Sequence, residues 1–496
     1  LCGIVGYVGP QQAQPILLDG LKRLEYRGYD SAGIAVQTGD TLAVRRRVGK
    51  LSVLRDLLDN EPVSGTTGIG HTRWATHGPP TEANAHPHVD GEHRLALVHN
   101  GIIENHASLR EALRREGVHF RSDTDTEVLA HLIRKHYAGD LFAAVRETLT
   151  QVEGAYALAV VCVEEPGVMV VARHGSPLVV GVGEDARYAA SDVLPLIPYT
   201  RKVLYLDNGH VARLTASSVE ITDLECNVVE LPVEEVELSA GGDDNWEVLA
   251  EKEGYPHFML KEMHQQPAVL EHALVTYTDA TSKAIQFPDL GALEAQLPQL
   301  RRVVIVACGT AWHAGLVGKY LMEHFARIPV EVDLASEYRY RDPVLDPETL
   351  VIAVSQSGET ADTLEAVRQA NAAGAPVLGL VNVAGSSIAR EATGLIYLQA
   401  GPEIGVASTK AYTAQMTILA LLALLLGQRR GTLTDEAVAD HLGYLHQIPD
   451  HVRWCLDHKE VVSEVAALPR YRDAANARFI GRGVNYPSAL EGALKL

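Results

Sequence analysis

The sequence predicts two α and β architectures in one chain: a layered antiparallel α+β first half and a parallel α/β second half. Three observations carry this reading. Residues 1–240 hold short runs in which apolar and polar residues alternate, punctuated by Gly, Asp and Asn, as half-buried strands do. From residue 301 the apolar runs become nearly continuous and β-branched, with helical segments between them, as in a parallel sheet covered on both faces. Between these halves, "SAGGDDNWEVLAEKEG" at 239–254 breaks the apolar pattern with polar and flexible residues.

In chain order, strands are expected at "CGIVGYVG", "AGIAVQTG", "TTGIGHTRWA", "HRLALVHNG", "YALAVVCVEEPGVMVVAR", "RYAASD" and "KVLYLDNGHVARL". Helices are expected at "AQPILLDGLKRLEYRG" and "TDTEVLAHLIRKHYA". "YPHFMLKEMHQQPAVLEHAL" reads as a helical connector. Beyond it, "RRVVIVACG", "IPVEVDLAS", "TLVIAVSQSG", "APVLGLVN" and "GLIYLQAG" read as the parallel strands. "AQMTILALLALLLG" at 414–427 is too short to span a bilayer and reads as a buried helix. "VVIVACGTAWHAGLVGKYL" and "ARFIGRGVNYPSALEGALKL" share a strand, a glycine turn and a helix start, which implies two similar α/β domains in tandem. The expected organisation is therefore a first domain at 2–240, a linker and helical connector at 241–300, and an α/β domain at 301–440. A second connector follows at 441–477, and a second α/β domain begins at 478–496 and stops short.

A chain of 496 residues is too long for one core. Its net charge of −20, from 43 basic and 63 acidic residues, disfavours nucleic acid or an anionic membrane as partner. An anionic substrate must then be held by local donors. No basic segment leads into a sustained apolar run at the start, so a cytoplasmic protein is expected. The five cysteines, at 2, 162, 226, 308 and 455, form no C-x-x-C pair, which argues against a disulfide framework or a cysteine zinc site.

Cys2 has two readings, a small buried hydrophobe at a strand edge or a nucleophile. If Leu1 is removed, the α-amino group of Cys2, with an ordinary pKa of about 8, becomes a built-in base for its own thiol. Asn100-Gly101 in "HNGIIEN" is either a hairpin turn or a pair of donors for an oxyanion. His71, His77, His86 and His88 suggest a metal, but they lack acidic or thiolate company and "NAHPH" carries a proline. They read as pocket or loop histidines, with no metal expected. Ser355-Gln356-Ser357-Gly358-Glu359-Thr360 lies between a strand and a helix, as a phosphate cradle or an ordinary N-cap. No G-x-G-x-x-G accompanies the "ACGTAWHAG" turn, so nicotinamide binding is not supported. Glu491 and Lys495 are one helical turn apart, where an exposed ion pair is the plain account.

The motifs "CGIVGYVG", "LEYRGYDSAG", "GIGHTRWATHG", "VHNGIIEN" and "SDTDTEV" fall in the order seen in N-terminal-nucleophile glutamine amidotransferases. Joined to "VSQSGETADTL" and "EIGVASTKAYT", the whole chain from residue 2 to 496 resembles the glucosamine-6-phosphate synthase family. The resemblance implies an α+β N-terminal-nucleophile (Ntn) glutaminase sandwich followed by α/β sugar isomerase (SIS) doubly wound parallel-sheet domains. It implies conversion of fructose 6-phosphate and glutamine to glucosamine 6-phosphate and glutamate, the first step toward UDP-N-acetylglucosamine. Ammonia is channelled between the sites, with Trp74 as the candidate gate.

By resemblance, Cys2 is the nucleophile, Asn100 and Gly101 bind the oxyanion, and Arg73 and Asp125 take the α-carboxylate and α-ammonium of glutamine. Trp74, Thr76 and His77 line that pocket and Arg27 orders a loop beside it. Thr310, Ser355, Gln356, Ser357, Thr360, Val406 and Ser408 are expected to hold the sugar phosphate, with Glu491 and Lys495 supporting sugar chemistry. No cofactor is implied, Lys410 is not a pyridoxal phosphate anchor, and a homodimer is expected. The chain departs from the family pattern at Ala311, where serine is usual. It also lacks the family's principal acid/base glutamate, a loop histidine from a neighbouring subunit and a Schiff-base lysine. A C-terminally shortened copy that hydrolyses glutamine but makes little or no aminosugar is therefore expected. A glutaminase-only fragment, another class II amidotransferase and a non-catalytic sugar-phosphate sensor remain as alternatives.

Overall fold

The structure is a computed structural model and describes residues 2–25, 28–75, 78–236, 252–279 and 283–496. The chain divides into two compact units, Leu1–Glu237 and Leu238–Leu496. In the first unit, strict alternation along the strands sorts side chains onto two faces. Its larger sheet runs, edge to edge, Glu234–Glu235, Lys202–Tyr205, Val179–Val182, Arg187–Ala190, Gly3–Val8, Thr67–Arg73, Ser31–Thr38 and Thr41–Val48. The smaller runs Val219–Thr222, His210–Leu214, Met169–His174, Gly154–Cys162, Leu95–Ile103 and His88–Val89. Both sheets are antiparallel throughout.

Ile4 and Val8 on one face of the first strand join Ala96, Val98, Ala157 and Val171 in a core between the sheets. Val5 and Tyr7 on the opposite face join Leu17 and Leu21 of the helix Ala13–Leu24 and Leu54 of the helix Leu51–Asn60. Leu95 and Leu97 likewise turn outward to Leu129, Ile133 and Phe142 of the helices Glu127–His136 and Leu141–Leu149. The result is helix, sheet, sheet, helix. This is the layered α+β sandwich that period-two patterning predicts.

In the second unit, five strands form a wholly parallel sheet in the order Val330–Leu334, Arg302–Ala307, Thr349–Ser355, Val377–Val381 and Gly394–Tyr397. Val303, Ile305 and Ile352 face one core, and Val304, Val306 and Val351 face the other, so both faces are covered. The strand order reverses between Arg302–Ala307 and Thr349–Ser355. Ligands of such sheets bind at that switch point, beyond the carboxyl ends of the strands. The expected connector forms the helix Phe258–Tyr277. The helix Lys410–Arg429 is long and apolar enough to cross a membrane by length and composition, and it lies buried in the larger core of this unit.

One expectation is corrected. "ARFIG" at 477–481 forms no strand, and Ile480 is 92% exposed. A parallel strand needs a neighbour for its backbone groups, and among the described residues none pairs with this segment. The helix that follows it, Asn485–Lys495, does form.

Candidate active sites

The first site grows from the end of the strand Gly3–Val8 and its neighbour Thr67–Arg73. Their antiparallel register puts Gly3 opposite Thr72, so Cys2 falls beside Arg73 and Trp74. Trp74 N–H donates to Cys2 Sγ at 3.2 Å, and the thiol lies 3.5 Å from the Trp74 carbonyl. Burial pushes the Cys2 thiol above its ordinary value of 9.0, against the opposing pull of the Trp74 N–H and the Arg73 charge. At neutral pH the sulfur is therefore a thiol and needs a base before it attacks.

Cys2, Arg73, Trp74, Asn100, Gly101 and Asp125 line one cavity of about 220 Å³. Asn100-Gly101 is no hairpin turn, because it lies inside the strand Leu95–Ile103. Asn100 Nδ2 donates to the Cys2 carbonyl at 3.2 Å and to Ser191 Oγ at 2.9 Å. Gly101 has φ +134°, and a Cβ there would meet the Ala155 carbonyl oxygen at 2.0 Å. Only glycine fits. Arg73 is buried and donates to the carbonyls of Gly78 and Pro79, and Asp125 Oδ2 accepts the Ile103 N–H at 2.8 Å. A buried guanidinium and a buried carboxylate on one small cavity suit a zwitterionic amino acid. Arg27, Thr76 and His77 lie outside the described residues.

The second site lies at the switch point. Ser355 ends its strand, and its Oγ accepts the Gly358 N–H at 3.0 Å and meets Thr360 Oγ1 at 2.9 Å. Ser357 Oγ accepts the Glu359 N–H at 3.2 Å. Thr360 stands at the N-cap of the helix Ala361–Ala372 without a side-chain cap bond, so ordinary capping does not account for it. The Val406–Ser408 segment follows a turn whose Ile404 and Gly405 N–H groups both donate to the buried Glu262 carboxylate. Lys410 is also buried there, and its Nζ donates to Gln265 at 2.9 Å. On the neighbouring strand end, Thr310 opens the helix Thr310–Phe325. Glu491 is not half of an exposed pair. It is 5% exposed, and its carboxylate meets Lys495 Nζ at 2.6 Å, His313 Nδ1 at 2.6 Å and Thr310 Oγ1 at 3.1 Å. Lys495 Nζ also donates to Thr310 Oγ1 at 2.9 Å.

Burial alone would raise the Glu491 pKa, but hydrogen bonds from His313, Lys495 and Thr310 outweigh it and hold the pKa below 4.5. A depressed folded-state pKa stabilises the fold above the unfolded value, and that stability is lost as pH falls through the folded value. Glu491→Gln is therefore expected to lower unfolding stability by about 2 kcal/mol at pH 7. The gap from wild type should close below pH 4.5 in urea titrations.

Sequence reading missed several partners. Ser191 holds the Asn100 amide and the Ile4 N–H. His313 lies one turn along from Thr310 on the same helix, a spacing that could have flagged it. Asn382 directly follows the strand Val377–Val381, next to the strand of Ser355. Its N–H donates to the Gln356 carbonyl at 3.1 Å and its Nδ2 to the Gly401 carbonyl at 2.7 Å, tying two loops together. A polar residue at the carboxyl end of a parallel strand was the available signal.

Two family profiles match this chain, a glutamine amidotransferase domain over residues 59–242 and a SIS domain over residues 296–425. They define its class, a glutamine amidotransferase joined to a SIS domain. A glutamine–fructose-6-phosphate aminotransferase [isomerizing] of Thermus thermophilus is 52% identical over 496 residues, covering 100% of this chain and 80% of that protein. One of the same name from Symbiobacterium thermophilum is 50% identical over 497 residues, with the same coverage. Among solved structures, the C-terminal domain of glucosamine-fructose-6-phosphate aminotransferase from Francisella tularensis is 37% identical. It covers 50% of this chain and 68% of that one, with a TM-score of 0.47. The chain belongs to the glutamine–fructose-6-phosphate aminotransferase (isomerizing) family.

Proposed function

We propose that this enzyme converts fructose 6-phosphate and glutamine into glucosamine 6-phosphate and glutamate, with glutamine hydrolysed at Cys2. Arg73 pairs with the α-carboxylate of glutamine and Asp125 with its α-ammonium, beside Trp74, and the family resemblance adds Thr76, His77 and Arg27 to the glutamine-binding set. The Cys2 thiolate attacks the side-chain carboxamide carbon. The oxyanion is met by the Gly101 N–H and by Asn100 Nδ2, which turns one of its two N–H bonds from the Cys2 carbonyl or Ser191 Oγ toward it as charge develops. Ammonia leaves, a γ-glutamyl thioester remains, and water releases glutamate. If Leu1 is removed, the base is the α-amine of Cys2. A thiol whose pKa is raised by burial makes such a base necessary.

In the second unit, Ser355, Gln356, Ser357 and Thr360 hold the phosphate of the open-chain ketose, with Val406 and Ser408 on the adjoining loop. Thr310, Glu491 and Lys495 stand at the sugar. Ammonia adds to the ketose carbonyl, water is lost to give an imine, and proton transfer gives the aminosugar. The enzyme works in the cytoplasm, as a homodimer, without metal or pyridoxal phosphate. The observation that carries this reading is the convergence of Cys2, Asn100, Gly101, Arg73 and Asp125 on one cavity.

The test is incubation with amide-labelled 15N-glutamine and fructose 6-phosphate, measuring glutamate and labelled glucosamine 6-phosphate separately. Glutamate release that stops when Cys2 is alkylated is expected. A chain that releases no glutamate defeats the glutaminase reading; glutamate without labelled aminosugar confines the activity of these 496 residues to the first unit, as expected of a shortened copy, and labelled aminosugar overturns that expectation.

A further inference from the structure

Four buried histidines, His71, His86, His88 and His99, cluster at the first site, and His86 and His99 line its cavity. His71 lies on the strand Thr67–Arg73, and His99 precedes Asn100 on Leu95–Ile103. His86 and His88 lie between these strands in sequence, and the His71 and His86 rings stack at 4.1 Å between centroids. Thr126 Oγ1 meets His99 Nδ1 at 2.8 Å and His86 Nε2 at 3.1 Å, so one hydroxyl pins two of the rings. No group of acidic, thiolate and imidazole ligands suited to a metal exists among the described residues.

His71 Nε2 lies 3.1 Å from the His99 carbonyl oxygen and 2.9 Å from Asn100 Oδ1. A backbone carbonyl only accepts, so Nε2 must carry the hydrogen. A donor there leaves one orientation of the Asn100 carboxamide. Its oxygen faces His71, and its NH₂ faces the Cys2 carbonyl and Ser191 Oγ. The flipped amide would set its oxygen against the Cys2 carbonyl and its NH₂ against the His71 Nε2–H, and would present a negative dipole to any oxyanion formed at Cys2.

We propose that His71 is a positioning residue for glutamine hydrolysis, its Nε2–H fixing the polarity of the Asn100 carboxamide so that Nδ2 is the atom offered to the oxyanion. The inference rests on the glutaminase reading of this cavity. Burial foremost, with the neighbouring His99 and Arg73, pushes His71 down to about 3 even though Asn100 and the His99 carbonyl favour its charged form. The ring thus remains neutral across the working range of a cytoplasmic enzyme, and its donor is constant. Its role is orientation; it moves no proton.

The test is steady-state glutamine hydrolysis by His71→Leu and His71→Gln, each made in wild type and in Asn100→Ala. Glutamine keeps an N–H close to the position of Nε2, whereas leucine removes it. His71→Leu should lower kcat by about 100-fold, the scale of losing an oxyanion donor, with KM for glutamine changed less than about threefold. His71→Gln should recover kcat to within about tenfold of wild type. In the Asn100→Ala background His71→Leu should cost less than about threefold more, because a residue acting through Asn100 has nothing left to orient.

A His71→Leu enzyme within threefold of wild type overturns the inference. So does an undiminished loss in the Asn100→Ala background, or a loss that falls on KM in place of kcat. If leucine prevents folding, the loss in His71→Gln must vanish in Asn100→Ala, and an equal loss in both backgrounds overturns the proposal. A wild-type chain that releases no glutamate defeats the glutaminase reading, and this inference falls with it.

Discussion

Cys2→Ala is expected to lower glutamine hydrolysis by on the order of 10⁴-fold or more, while fructose 6-phosphate binding changes less than about twofold. The first figure follows from chemistry, since no other described nucleophile stands under the Trp74 N–H. The second follows from architecture, because the sugar residues belong to the other compact unit. Glutamate release and calorimetric titration with fructose 6-phosphate measure the two separately. In wild type the same reading sets a sign for pH. Burial raises the thiol, so the reactive thiolate and the neutral amine both become commoner as pH rises, and kcat/KM for glutamine should climb as pH rises through about 8. A rate that falls across that range, or activity that survives in Cys2→Ala, would sink the nucleophile assignment.

Gly101→Ala should be nearly as damaging, for a different reason. Its φ of +134° is disfavoured for any residue with a Cβ, and the added carbon would lie 2.0 Å from the Ala155 oxygen and 2.6 Å from its carbonyl carbon. That oxygen belongs to the partner strand, since Gly101 lies opposite Tyr156 in the ladder. The strand must move, and it carries Asn100 with it. The expected result is a loss of about 3 kcal/mol in unfolding stability and at least about 1,000-fold in glutamine kcat. Urea denaturation and glutamate release check the two parts. An alanine variant with wild-type kcat would show that the strand accepts the added Cβ without displacing Asn100 or the residue 101 N–H.

Much of this was legible before any coordinates. Alternation of Ile4 and Val8 against Val5 and Tyr7 states that the first strand has two buried faces, and the structure fills one with a sheet and the other with helices. The β-branched runs after residue 301 state a parallel sheet, and the loop between Ser355 and Thr360 stands where such a sheet opens. The strand expected at 477–481 was not legible in the same sense. Its apolar character is real, but a strand exists only as half of a pair, and pairing is decided by what lies beside it.

The sequence by itself determined which residues have the chemistry: a thiol at position 2, an Asn-Gly pair, a buried-strand arginine and a run of hydroxyls before a helix. Those are local properties, carried by residue type and spacing. Only the tertiary structure decided that Asn100-Gly101 is strand and not turn. It also decided that Glu491 is buried among His313, Lys495 and Thr310, and that His71 Nε2 meets the His99 carbonyl and Asn100 Oδ1 across 28 and 29 residues of chain. Hydrogen-bond direction and burial depend on atoms brought together from distant parts of the chain, and no short stretch of sequence contains both partners.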